Sequence, residues 1–262
     1  MPEKTKFNVI GLITDFGTDD NYAGVVKGVI KRMAPGIDII DISHGVASYS
    51  ITNAQFYLFS SVAYFPAGTV FYIVVDPSVG SRRRALIAQD SGRLYIAPDN
   101  GILDAVLTEG AQVYAVRERM FQNVSATFHG RDIFAPVAAM LAGGVSPGEI
   151  GDAVEDRVRV PFPAYSARDT TVEGIVVHID RFGNVISSIP NEVLRDRPGQ
   201  CRIAAGAGVF EAVSCITFSD LGKDSVGILP GSSGLVEMAM NRSPLAARYG
   251  MKIDDRIKIT YA

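Results

Sequence analysis

Residues 7–14 read FNVIGLIT, a mostly apolar run that stops at Asp15. Such a run, bounded by turn residues, is the pattern of a strand buried on both faces. Asp19 or Asp20 can then cap a helix. Tyr22, Val25, Val26, Val29, Ile30 and Met33 recur on one helical face, and Pro35 ends that helix. A short strand is predicted over 37–42 and a second helix over 50–64, closed by Pro66. Residues 70–76 (VFYIVVD) form another buried strand ending in an acid. Strands over 85–89 and 94–97 are joined by a turn at Asp90-Ser91-Gly92, and 113–116 is a further strand. Residues 132–141, with Pro136 in the early turns, read as a helix that stops at Gly143-Gly144. Strands alternating with helices predict a three-layer α/β domain with a mostly parallel sheet.

The pattern changes after Gly151. Residues 158–165 (VRVPFPAY) are rich in proline and irregular, as in a linker. Strand-like runs then follow at 172–179, 185–189, 202–205, 209–213, 225–229, 234–240 and 256–261. Short helical pieces fit 191–195 and 245–249. Many short strands separated by turns predict an all-β domain, a small barrel or a sandwich. The domain plan is therefore 1–160, a linker over 161–171, and 172–262.

Composition narrows the function classes. The 262 residues are 47% hydrophobic and 20% charged, so a sizeable core can form. A net charge of −3 supplies no global basic field for nucleic acid or an anionic membrane. The N-terminus lacks the apolar core of a signal peptide, and no segment approaches the roughly 18 apolar residues of a membrane span. Cys201 and Cys215 form no metal-binding pattern and read as reduced thiols of a cytoplasmic protein.

Several polar groups stand where ligands bind. In open α/β sheets that place is the carboxyl end of the strands, and Asp15 and Asp76 both sit there. A strand-end aspartate can hold a ribose diol, bind a metal or cap a helix. The DFG at 15–17 has no accompanying kinase motifs, and GSRRR at 80–84 lacks the lysine of a phosphate loop. Asp15, Asp19 and Asp20 have no histidine or second acidic group at metal-binding spacing, so solvated caps are expected. Arg83 follows Asp76 by seven residues, and a returning loop can bring them together. Arg82 and Arg84 read as exposed basic residues. Of the three histidines, His129 lies in a glycine-containing turn at a helix start, a setting that favours function. Phe182 offers a stacking face and Asn184 an amide, the chemistry that adenine needs. The 231–234 loop (GSSG) offers hydroxyls and backbone N–H groups that can grip a carboxylate, or serves as a plain turn.

Together the segments LITDFGTDDNYAG, VVDPSVGSRRR, APDNG, TFHGRDIFAP, IDRFGNV and GSSGLVEMAMN resemble the S-adenosyl-L-methionine hydroxide adenosyltransferases, relatives of fluorinases and chlorinases. The resemblance runs from about Phe7 to the C-terminus. It implies an α/β domain, a β-barrel and a homotrimer with active sites at subunit interfaces. It implies hydrolysis of S-adenosyl-L-methionine (SAM) to adenosine and L-methionine, with no metal and no cofactor, since SAM is the substrate. It implies that Asp76, Arg83 and His129 ready a water. By the same resemblance Asp15 holds the ribose hydroxyls, Asp180 lies near the methionine ammonium, and Phe182 and Asn184 form the adenine site. Ser232 and Ser233 fall where the methionine carboxylate is held, although the halogenating relatives carry arginine in place of Ser233.

The chemistry of that reaction suits these residues. A sulfonium activates the 5′ carbon and methionine leaves as a neutral thioether, so neither a leaving-group acid nor a metal is required. Water must be aligned and relieved of a proton. Imidazole titrates near neutrality, so His129 is expected to take that proton, with Asp76 orienting it and Arg83 fixing Asp76. Two alternatives remain. A halide adenosyltransferase would carry tyrosine in place of His129 and an extra surface loop in the first domain. A non-catalytic SAM or adenosine sensor would not need Asp76, Arg83 and His129 together.

Overall fold

Period-two alternation within doubly buried strands organises the first half of the chain. The computed structural model describes residues 8–195, 197 and 199–261, so Phe7, the start of the first expected strand, lies outside the described residues. The chain divides into two units, one ending at Pro161 and one starting at Phe162.

The first unit runs β1 (Val9–Thr14), α1 (Tyr22–Met33), β2 (Asp38–Ser43), α2 (Ile51–Ser61), β3 (Thr69–Val74), β4 (Ala85–Asp90), β5 (Arg93–Pro98), β6 (Gln112–Val116), α3 (Ala135–Ala142), α4 (Pro147–Ile150) and β7 (Gly151–Ala153). Its sheet has the order β2-β1-β3-β5-β4-β6-β7. The pairings β2–β1, β1–β3 and β3–β5 are parallel, and those of β4, β6 and β7 are antiparallel. The α/β class is as expected, and the sheet is mixed. The reason lies in the β4–β5 turn, where Ser91 and Gly92 both take positive φ, as a tight hairpin requires.

Val70, Tyr72 and Val74 of β3 pack with α1 and α3 on one face, while Phe71 and Ile73 pack with α2 on the other. Each such fully buried side chain contributes roughly 1.5–3 kcal/mol. Two local expectations change. Neither Asp19 nor Asp20 caps α1; Asn21 occupies the cap position without a side-chain bond. Arg84 is no free surface charge, because it pairs with Asp99 and Asp156 and so ties the 156–158 segment to the start of β4.

The second unit runs β8 (Ser166–Arg168), β9 (Thr171–Ile179), β10 (Val185–Pro190), β11 (Gln200–Ala205), β12 (Gly208–Ser214), β13 (Val226–Pro230), β14 (Leu235–Met240), α5 (Leu245–Tyr249) and β15 (Arg256–Tyr261). Seven strands close in the order β10-β14-β13-β12-β11-β15-β9, with β9 pairing back to β10. This is the expected barrel. Inward residues such as Val176, Ile203, Ile228, Met238 and Ile259 fill it. β8 pairs on the outer side of β9, so part of the stretch read as linker is strand. Among the described residues no helix is long and apolar enough to cross a membrane.

Candidate active site

The chain leaves β1 for β2 on one side and returns to β3 on the other. The crevice between β1 and β3 is therefore a topological switch point, where α/β sheets bind ligands at strand carboxyl ends. Thr14 pairs with Val74, which puts Asp15 and Asp76 beside each other just beyond the sheet. Both line a cavity of about 160 Å³ together with Phe16, Tyr49, Phe128 and His129.

The expected returning loop is present. Arg83 donates to Asp76 Oδ2 from Nε at 2.8 Å and from Nη2 at 2.6 Å. Asp76 Oδ1 accepts from the backbone N–H and hydroxyl of Ser78, both at 3.3 Å. Gly80 shapes this loop with φ +79°; a Cβ there would stand 2.5 Å from the Ala126 carbonyl oxygen, so the 77–82 loop closes against the segment leading to His129 only with glycine. That segment is closed in turn by Asp132, which accepts from Ser125 N–H and from Arg131. The Arg131 bond first holds the Asp132 carboxyl below its ordinary range.

His129 opens one turn of π-helix (Gly130–Phe134), a distortion frequent at functional sites. A Cβ on Gly130 would meet the Tyr72 hydroxyl and the rings of Phe16 and Phe128 at 3.0–3.3 Å, so glycine allows this close packing. Arg83 Nη2 lies 2.8 Å from His129 Nδ1. An arginine N–H can only donate, so Nδ1 accepts and the neutral ring carries its proton on Nε2. In that tautomer Nε2 is the ring nitrogen that carries an N–H. Arg83 Nη1 is buried with no hydrogen bond among the described residues, 3.7 Å from Glu118 Oε1.

Asp15 accepts from Tyr49 N–H at 3.0 Å. Burial, more than any other cause, pushes its carboxyl above the ordinary value; the Tyr49 bond pulls it down and the Asp76 charge adds a smaller push upward. Tyr49 itself sits at φ +66°. Tyr49, Val79 and Thr127 line the cavity without having been singled out from the sequence, because nothing local marks them as neighbours of Asp15 and Asp76.

In the second unit the 180–184 loop joins β9 to β10. Asp180 Oδ1 accepts from the N–H groups of Phe182 and Asn184, and Oδ2 accepts from the Asn184 amide. Asp180 therefore shapes its own loop and has acceptor capacity left on Oδ2. Phe182 is 77% exposed. Phe182 and Asn184 line a cavity of about 710 Å³ with Phe218, Ser219, Met240 and Asn241. Ser232 and Ser233 sit on the β13–β14 turn and are not in that wall. Their turn is held by Asn191, whose side chain pairs with both the N–H and the carbonyl of Gly231. Glu237 was not foreseen: burial foremost, then the Asp180 charge, push its carboxyl up, and a bond from Asn184 draws it back. Among the described residues no three His, Cys, Asp or Glu side chains are grouped to hold a metal ion.

Two family models match this chain. The SAM hydroxide adenosyltransferase N-terminal domain covers residues 10–151, and the C-terminal domain covers 174–258. The chain belongs to the SAM hydroxide adenosyltransferase family. Similar members include the (R)-S-adenosyl-L-methionine hydrolase of Salinispora tropica, 35% identical over 96% of this chain and 97% of the relative. The protein of the same name from Thermus thermophilus is 35% identical over 92% and 94%. A fluorinase from an Actinoplanes species is 28% identical over 97% and 98%. Among solved structures, an uncharacterized conserved protein from Thermotoga maritima superposes with a TM-score of 0.87 at 35% identity, covering 96% of this chain and 99% of that one. In this chain Asp76, Arg83 and His129 form one connected set beside Asp15.

Proposed function

We propose that this chain hydrolyses S-adenosyl-L-methionine to adenosine and L-methionine. The observation that carries the reading is the Asp76–Arg83–His129 connection in the cavity that Asp15 also lines. The relatives named as (R)-S-adenosyl-L-methionine hydrolases support it.

Water attacks the ribose 5′ carbon opposite sulfur. The C–O bond forms as the C–S bond breaks, and sulfur keeps the electron pair as the thioether. The water's proton passes to Asp76 and then to solvent. Oδ1 is the available acceptor, since its two bonds to Ser78 are long and Oδ2 is committed to Arg83. A carboxylate is a sufficient base, because water bonded to carbon becomes a strong acid as it reacts. His129 donates from Nε2 to the water oxygen and Arg83 holds both partners, leaving a lone pair for carbon. Alignment of this kind supplies about 7–11 kcal/mol of a barrier.

Asp15 takes the ribose hydroxyls, Phe182 stacks on adenine and Asn184 bonds its edge. Asp180 receives the methionine ammonium on Oδ2, and Ser232 and Ser233 receive its carboxylate. Neither a metal nor a cofactor takes part. The assembly proposed is a homotrimer, the setting is the cytoplasm, and no nucleic acid or membrane is a partner.

The deciding experiment incubates the protein with each sulfonium epimer of SAM in H₂¹⁸O, with and without chloride or fluoride, and identifies the nucleoside by chromatography and mass. Adenosine labelled on its 5′ oxygen is the expected product. A 5′-halo-5′-deoxyadenosine, or unchanged substrate, overturns the reading.

A further inference from the structure

His44 lies outside the wall of the cavity that Asp15 lines, yet it contacts the turn carrying that residue. It is 7% exposed, and both ring nitrogens are engaged. Nε2 lies 3.1 Å from Asp41 Oδ1, and Lys27 Nζ is 2.5 Å from the other oxygen of the same carboxylate. A carboxylate can only accept, so Nε2 carries a proton, and in the neutral ring Nδ1 is then an acceptor. The group facing Nδ1, at 2.7 Å, is the hydroxyl of Thr14, which is fully buried. To the neutral ring that hydroxyl donates, and its oxygen accepts from Phe16 N–H at 3.3 Å. Asp15 stands between the two residues so tied.

The backbone around His44 completes the grip. Gly17 N–H donates to the His44 carbonyl at 2.8 Å and Val46 N–H to the Thr14 carbonyl at 3.2 Å. Tyr49 N–H reaches the Asp15 carboxylate itself. Residues 44–49 thus hold 14–17 from several sides, and the His44 ring is anchored from behind by the Lys27–Asp41 ion pair.

We propose that His44 is a positioning residue: through Thr14 it sets the direction of the Asp15 carboxylate and thereby recognition of the ribose diol. The proposal rests on the reading that Asp15 takes the ribose hydroxyls. Removing the imidazole leaves the Thr14 hydroxyl buried without its acceptor. The threonine then turns, the bond from Phe16 is lost, and the carboxylate is no longer held toward the two hydroxyls.

The test measures, by calorimetry on the full chain, the ratio of the dissociation constants of 2′-deoxyadenosine and adenosine. That ratio reports how the diol is read, and loss of fold stability alone does not change it. The wild type should prefer adenosine, and Asp15→Asn should bring the ratio toward one. His44→Ala and Thr14→Val should each lower the ratio at least fivefold, and neither should lower it further in the Asp15→Asn background. His44→Asn, whose amide oxygen can stand in for Nδ1, and Thr14→Ser should retain the wild-type ratio. If His44→Ala does not fold, the Thr14→Val and Thr14→Ser pair carries the test. Wild-type ratios in His44→Ala and Thr14→Val, beside a collapsed ratio in Asp15→Asn, overturn the positioning role alone. An unchanged ratio in Asp15→Asn overturns the ribose reading of Asp15, and the proposal with it.

Discussion

Arg83 reaches Asp76 twice, and both bonds end on one oxygen, Oδ2. Each side chain is only 6% exposed, and the same Nη2 that bonds Asp76 also donates to His129. The guanidinium is the part of the site that joins its two other members. Lysine keeps the charge but cannot present Nε and Nη2 in a fixed fork. Arg83→Lys should therefore lower kcat by at least about 10²-fold, within the range that a positioned proton-transfer group contributes. Arg83→Met should also destabilise the fold by about 3–5 kcal/mol, the cost of a buried acid without its partner. Steady-state kinetics and denaturant unfolding check both, and a Lys variant with wild-type kcat would remove Arg83 from the mechanism.

His129 makes a separable prediction. Asparagine can accept from Arg83 in place of Nδ1 but has no group in place of Nε2–H. His129→Asn should keep near-wild-type stability and SAM affinity while kcat falls by about 10²–10⁴-fold. Nitrogen-15 spectra of the wild-type ring should show an unprotonated Nδ1 and a protonated Nε2. A ring protonated on Nδ1 and free on Nε2 would restore histidine as the base.

Asp15 determines a pH dependence. Burial, its largest influence, raises the carboxyl, so it gains a proton at higher pH than the ordinary value of about 3.9. Only the ionised form accepts from both ribose hydroxyls. Adenosine affinity should therefore weaken as pH falls, beginning above the usual aspartate range, and this dependence should vanish in Asp15→Asn. Stability has the opposite sign. The folded state holds this proton more tightly than the unfolded chain, so the group costs stability as pH rises through its folded value. Asp15→Asn should melt higher than wild type at neutral pH. A lower melting temperature there, or adenosine binding that is flat with pH in the wild type, contradicts the assignment.

Phe182 offers an exposed face, so its removal disturbs little of the fold. Phe182→Ala should weaken adenosine binding by about 1–3 kcal/mol, the usual worth of a base stacked on an aromatic ring, with little change in melting temperature. Unchanged adenosine affinity would move the adenine site elsewhere.

Metal independence and assembly are checked together. Turnover should survive EDTA; a loss restored by a divalent ion would refute that. Light scattering should give a trimer or a multiple of one, and mixing an Asp76→Ala chain with an Asn184→Ala chain should recover activity. A fully active monomer contradicts the assembly.

The amino-acid sequence by itself determined the two-part plan. The run VFYIVV at 70–75 is apolar at every position because both faces of a central strand are covered. The short alternating strands after residue 171 have one face to bury, and the β9–β10 pairing shows that they do so by closing into a barrel. It also placed Asp15 and Asp76 at strand ends and suggested the Asp76–Arg83 pair, since seven residues suffice for a loop to return. Three-residue strands such as β7 and β8 were not legible, because they exist only through pairing with a longer neighbour. The absence of a side-chain cap from Asp19 or Asp20 was equally hidden, since a cap depends on where the first turn begins. The tertiary structure alone decided which atom faces which. Arg83 meets Nδ1 of a histidine 46 residues away, and His44 meets the Thr14 hydroxyl across 30 residues, next to Asp15. Periodicity reports which face of an element is buried, but the direction of a hydrogen bond depends on donors and acceptors that distant loops bring to within 3 Å.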